Sequence, residues 1–185
     1  MLTGYDAIVI GASAGGFAAL SEILPRLSKA LPQAVVVVQH LHPDGGEYMV
    51  EFLSQHCPLP VKEAEDKEPV KPGVIYVAAA RYHLLIERDR SFSLSIDDKV
   101  NYSRPSIDVL FESAAQTYGP KLIGVVLTGA NADGAVGLAT IKARGGLTIV
   151  QDPATAEVSF MPQAAIDGSQ VDYVLDLNGI VTLLG

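Results

Sequence analysis

Ile8-Val9-Ile10-Gly11-Ala12-Ser13-Ala14-Gly15-Gly16 decides how the rest of this chain is read. An apolar run ends in a glycine, a serine follows two residues later, and two more glycines open a helical pattern. A strand that turns sharply into a helix needs residues without side-chain bulk. Such a turn lifts the Ser13 hydroxyl to the end of the strand and aims the first N–H groups of the helix at whatever lies there. A serine nucleophile requires that pairing: an exposed oxygen with donors ready for an oxyanion. Gly11-x-Ser13-x-Gly15 also fits the nucleophile-elbow spacing. A phosphate-cradling loop, or a turn in which Ser13 merely caps the helix, fits the same residues, and the stretch alone leaves these open.

Outward from this turn, strands and helices alternate. Residues 6–10 read as a buried strand and 15–30 as a helix with Phe17, Leu20, Ile23, Leu24 and Leu27 on its apolar face. Pro25 is set to kink or shorten it. Residues 34–38 are apolar throughout, as in a parallel strand covered on both faces. They run into Gln39-His40-Leu41-His42-Pro43, and a second helix covers 46–56. Short strands at 60–64, 74–78, 82–87 and 92–96 are too closely spaced for βαβ units. The last three predict antiparallel hairpins forming an edge or flap, with Glu65-Asp66-Lys67-Glu68 a solvated turn. The helical period returns after Arg104-Pro105-Ser106, with Ile107, Leu110, Phe111 and Ala114 on one face, and stops at Gly119-Pro120. A strand at 122–127 ends in Thr128-Gly129-Ala130-Asn131-Ala132-Asp133-Gly134. A helix, a strand at 147–150, a short helix from Met161-Pro162, a strand at 171–175 and a last helix complete the chain. This pattern predicts an α/β fold: a doubly wound, mostly parallel, Rossmann-like sheet with an antiparallel hairpin, in one domain over residues 1–185.

Composition narrows the function. With 49% hydrophobic residues the chain can bury a large core, and its net charge of −8 argues against nucleic acid as a partner. Its single cysteine, Cys57, forms no intrachain disulfide, which suits a reducing cytoplasm. No apolar run reaches membrane-spanning length, so direct membrane insertion is not expected, and the N-terminus does not read as a signal peptide.

Ser13, His40 and Asp133 each fall just past the carboxyl end of a predicted strand. An open α/β sheet gathers its ligand-binding loops at that edge. A serine needs a base to take its proton, imidazole has a suitable pKa, and a carboxylate on the second ring nitrogen fixes the tautomer. Oxyanion donors are expected from the backbone at Ala14 and Gly15, or at Ala130 and Asn131. Each residue also has a plainer use. His40 could bond a backbone group at its strand end, with His42 a second polar candidate two residues on. Asp133 could cap the following helix, in which case Asn would serve about as well. His40 and His42 lack the cysteine or carboxylate partners of a metal site, so no metal and no cofactor are expected. Arg81 and His83 read as substrate-facing or structural rather than catalytic. A phosphate-binding module would want the P-loop Gly-Lys-Ser/Thr, which is missing.

The chain resembles the catalytic domain of the CheB-type chemotaxis protein-glutamate methylesterases over nearly its whole length. The resemblance rests on Ile10–Gly16, on Gln39-His40 with Pro43, on Leu127-Thr128-Gly129 with Ala132-Asp133-Gly134-Ala135, on Arg104–Phe111, and on Gln151-Asp152-Pro153 with Met161-Pro162. It implies a Ser13-His40-Asp133 triad and hydrolysis of γ-glutamyl methyl esters on the cytoplasmic helices of methylated chemoreceptors. Glutamine deamidation and a cytoplasmic location come with it. A non-catalytic interaction domain of the same fold is the alternative. The Ser, His, Asp order differs from that of α/β-hydrolases. Family members often carry Thr at the place of Ala14 and Met-Gly at Ala130-Asn131, departures that bear on substrate preference. They also usually carry a receiver domain ahead of the catalytic one. The first strand here starts at about residue 6, so a stand-alone or excised domain, active without phosphorylation, is expected.

Overall fold

The computed structural model describes residues 2–40 and 46–185. His42 and Pro43 therefore lie outside the described residues. Seven parallel strands form the main sheet: β1 (Ala7–Ala12), β2 (Ala34–Gln39), β3 (Val61–Glu63), β4 (Ile75–Val77), β7 (Leu122–Val126), β8 (Leu147–Gln151) and β9 (Tyr173–Leu175). Their spatial order is β3-β4-β2-β1-β7-β8-β9. The chain moves outward from β1 in one direction through β2 and in the other through β7 to β9. The β1/β7 boundary is thus the switch point where such sheets open a crevice.

Helices cover both faces. Leu20 and Ile23 of α1 (Gly16–Ile23), Met49 and Leu53 of α2 (Gly46–His56) and Ile180 of α6 (Leu177–Leu184) pack on one side of the sheet. Phe111 of α3 (Ile107–Tyr118), Leu138 of α4 (Ala135–Ala143) and Ala165 of α5 (Phe160–Gly168) pack on the other. Burial on both faces explains why β1, β2 and β7 are apolar without alternation: every one of their residues is buried. No described helix is long and apolar enough to cross a membrane.

Two expectations need correction. Helix α1 ends at Ile23, well before residue 30, because Pro25 removes a backbone donor, and a 3₁₀ turn, Leu24–Arg26, replaces the last turns. The middle strands are not all hairpins. Strands β3 and β4 join the main sheet in parallel, and only β5 (His83–Ile86) and β6 (Phe92–Ser95) pair antiparallel, as a separate two-stranded sheet. A helix-free crossover links β3 to β4. Its backbone pairs with the hairpin strand instead, with Lys67 N–H donating to Phe92 O and Phe92 N–H to Glu68 O. That pairing supplies the hydrogen bonds a crossover helix would have made internally, so tight spacing did not exclude a parallel connection.

Helices α3 and α4 cross closely because Gly137 has no side chain: a Cβ there would lie 2.5 Å from Phe111 Cβ and 3.1 Å from Asp108 Cα. Gly137→Ala overpacks this crossing. It should lower stability by about 1–3 kcal/mol, read as a lower urea midpoint at unchanged slope. An unshifted midpoint would mean the two helices can move apart freely.

Candidate active site

The sheet's register sets the site. Ala12 pairs with Gln39 and His40 N–H donates to Ala12 O at 3.0 Å, so Ser13 and His40 leave neighbouring strand ends side by side. On the other flank Ser13 N–H donates to Thr128 O at 2.9 Å. Gly15 then turns the chain into α1 with a left-handed φ of 76°, and a Cβ there would meet Glu157 Cβ at 2.7 Å. Gly129 lies just as close to the serine. A Cβ on it would be 2.9 Å from Ser13 Cβ and 2.5 Å from Met161 Cε.

Asp133 is fully buried at the N-terminus of α3. Its Oδ2 accepts from His40 Nε2 at 2.8 Å and from Ile107 N–H at 2.6 Å. Its Oδ1 accepts from Ser106 Oγ at 2.8 Å, Asn101 Nδ2 at 2.9 Å and Asp108 N–H at 3.1 Å. Burial works to raise its pKa. The bonds from His40, Asn101, Ile107 N–H and Asp108 N–H outweigh burial and hold it below the ordinary carboxylate value. Asp133 is therefore not the cap of the helix that follows it. That helix, α4, starts at Gly134 with φ 99° and is capped from across the interface. Asp108 Oδ1 accepts from Gly134 N–H at 3.0 Å and Gly137 N–H at 2.6 Å. The two helices exchange carboxylates, each resting on the other's N-terminus. Asn would not substitute for Asp133, because every partner is a donor and one side would face an NH₂ group.

His40 uses Nε2 on Asp133, and its Nδ1 is buried with no partner among the described residues. Ser13 Oγ and His40 are not hydrogen-bonded to each other. The backbone N–H groups of Ala14, Gly15, Ala130 and Asn131 donate to no protein acceptor among the described residues, whereas Ser13, Gly16, Gly129 and Asp133 have all committed theirs. Those four free donors lie on the two loops that flank Ser13. No group of His, Cys, Asp and Glu among the described residues has a metal-binding arrangement.

Several site residues escaped the sequence reading. Gln39 is buried, and its Nε2 donates to Ser13 O at 2.7 Å and to His40 O at 2.9 Å, tying the two strand ends together. Gly16 leaves room for it: a Cβ there would lie 2.0 Å from Gln39 Oε1. Thr128 Oγ1 donates to Ala14 O, and Gln151 Oε1 accepts from Thr128 N–H. His83, expected from the sequence to be substrate-facing or structural, is structural: buried, with Nδ1 accepting from Ser106 N–H and Nε2 on Asp98 O. Asn101 and Tyr102 form a tight turn with φ 50° and 63°, closed by mutual bonds between Val100 and Ser103. The one signal in the sequence was Asn101, a residue type that tolerates the left-handed conformation.

A family model described as CheB methylesterase matches residues 8–184. A Leptospira interrogans relative is 54% identical over 97% of this chain and 93% of its own length. The Carboxydothermus hydrogenoformans protein-glutamate methylesterase/protein-glutamine glutaminase 1 is 43% identical over 96% of this chain, which spans 54% of that relative. The chain superposes on the crystal structure of the Thermotoga maritima CheB methylesterase catalytic domain with a TM-score of 0.93, 39% identity and 97% coverage of both chains.

Burial, helped by the nearby charge of Asp133, pushes the Asp108 pKa up to about 6, against the bonds from Gly137, Asn101 and Gly134. A carboxyl whose folded pKa exceeds its unfolded value favours folding below that unfolded value, and the benefit is lost as pH rises through the folded one. Asp108 should thus cost about 3 kcal/mol of stability between pH 4 and pH 7. Denaturant melts of wild type and Asp108→Asn across that window should show their stability difference shifting against wild type as pH rises. A constant difference would show that Asp108 does not titrate there.

Proposed function

Because this chain belongs to the CheB methylesterase family, we propose that it hydrolyses γ-glutamyl methyl esters on the cytoplasmic helices of methylated chemoreceptors. In this reading Ser13 is the nucleophile, His40 the general base and Asp133 the residue that orients it. The observation that carries the reading is the His40 ring. Nε2 is engaged by a buried carboxylate at 2.8 Å, and Nδ1 is buried and unpartnered at the strand end beside Ser13.

With its proton on Nε2, His40 keeps Nδ1 as the base. Ser13 and His40 leave neighbouring strand ends, and the bond from Oγ to Nδ1 is of the kind that often forms only with substrate present. The Ser13 proton passes to Nδ1 as Oγ attacks the ester carbonyl carbon. Negative charge then develops on the carbonyl oxygen, where N–H groups of Ala14 and Gly15, and of Ala130 and Asn131, are the free donors. Collapse breaks the bond to methoxide, which takes the Nδ1 proton and leaves as methanol. Water then gives a proton to Nδ1 as it attacks the acyl-Ser13 carbon, and on collapse the bond to Oγ breaks, Oγ takes that proton back from Nδ1 and glutamate leaves. A glutamine side chain enters the same sequence and releases ammonia instead, which is the deamidation named in the relatives. The buried Asp133 carboxylate stabilises the imidazolium in each tetrahedral step.

A serine-directed phosphonate should label Ser13 alone, and His40→Ala should slow the labelling. Asp133→Asn should reduce turnover of a methylated receptor fragment by about 10²-fold or more. Labelling of another serine, or near wild-type turnover in Asp133→Asn, would refute the assignment.

A further inference from the structure

Beside His40, on the side away from Ser13, the loop after β4 and the Lys99–Pro105 segment enclose a cavity of about 360 Å³. Arg81, Lys99 and Arg104 line it, with Tyr102 at its mouth. None of these three cations pairs with a carboxylate among the described residues, and the same holds for Lys29, Lys71, Arg88 and Arg144, none of which lines this cavity. In a chain of net charge −8, the grouping of three of them around one cavity makes a local concentration of positive charge. Asp97 and Asp98 adjoin Lys99 in sequence but do not neutralise it.

Arg104 is pre-set for a ligand. Its Nη1 donates to Ile96 O at 2.7 Å and Asp97 O at 2.9 Å, which fixes the guanidinium plane. Its Nε is buried and donates to nothing among the described residues. A buried donor left unmet is costly unless something arrives to accept from it. The walls also carry backbone strain: Arg81 has φ 72° and Tyr102 φ 63°, left-handed values that a side chain with a Cβ adopts at a cost. Tyr102 is 97% exposed, thrust out where Asn101 turns back to reach Asp133.

We infer that this cavity is a carboxylate subsite, in which Arg81, Lys99 and Arg104 hold an acidic side chain of the substrate helix while its esterified residue lies at Ser13. The inference rests on the methylesterase reading and names what that enzyme selects. The ends of β4 and β1 are two strand spacings apart, roughly 10 Å. A helix rises 1.5 Å per residue, so acidic residues about four to seven positions from the ester span that gap with their side chains. The exposed Tyr102 ring supplies apolar cover at the edge.

Three substrates test this: a helical peptide with one glutamyl γ-methyl ester and glutamates four and seven residues to each side, the same peptide with glutamines there, and the small neutral N-acetylglutamate γ-methyl ester amide. Wild type at low salt should show kcat/KM for the acidic peptide about tenfold above the neutral one, and the ratio should shrink as salt is raised. In the Arg81→Gln/Lys99→Gln double variant the ratio should fall toward one. Because the readout is a ratio of two peptides on one sample, partial unfolding does not move it. A wild-type ratio near one, with the small ester hydrolysed, would overturn the subsite. So would inorganic phosphate at constant ionic strength leaving the ratio unmoved, since an anion seated in the cavity should slow the acidic peptide alone. Failure on all three substrates would instead overturn the methylesterase reading, and the subsite with it.

Discussion

The carboxylate of Asp133 has no contact with solvent and takes hydrogen bonds from five donors. An uncompensated carboxylate at such a depth would simply take up a proton. Here His40, the Asn101 amide, two backbone N–H groups of the α3 N-terminus and the Ser106 hydroxyl together hold it ionised. The helix dipole adds to the same effect. Everything else in the site is arranged around that fixed negative charge. It leaves the His40 ring one option, Nε2 inward and Nδ1 outward. It also locks α3, and so the Asn101–Ser106 segment, against the end of the sheet.

The charge is reciprocated. Asp108, the second residue of α3, rests on the N-terminus of α4 just beyond Asp133, and Asn101 Nδ2 bridges the two carboxylates. Both carboxyls are buried, which disfavours ionisation of each. The one with five donors keeps its charge, and the one with fewer is driven upward by burial, with the nearby Asp133 charge adding to it. The helix pair therefore resists sliding, because moving either helix would strip donors from a buried carboxylate. The switch point adds a second constraint. Gly129 and Gly15 let bare backbone approach Ser13 from both sides, and Thr128 and Gln151 hold that backbone from behind.

Much of this was legible in the sequence, for physical reasons. Strands covered on both faces leave unbroken apolar runs, so 6–10, 34–38 and 122–127 announced a parallel sheet. The candidate-site residues Ser13, His40 and Asp133 follow the ends of those runs. What escaped were interactions without a period. The β3-to-β4 crossover is stabilised by pairing with a hairpin that is distant in sequence, which no local spacing encodes. Gln39 looks like the last residue of a strand, and only the register reveals that its amide ties Ser13 to His40. The capping roles of Asp133 and Asp108 were hidden because each serves the other's helix. A reading confined to neighbours gives Asp133 to α4, whereas its partners lie at residues 101–108.

The central claim is that Asp133 dictates which nitrogen of His40 is free, and nitrogen-15 NMR of the histidine ring reads this directly. In the free protein above the imidazolium pKa, the account predicts a single neutral tautomer, protonated at Nε2 and bare at Nδ1. In Asp133→Ala that preference should collapse into a mixture of tautomers. A wild-type ring protonated at Nδ1, or a tautomer unmoved by loss of the carboxylate, would contradict it.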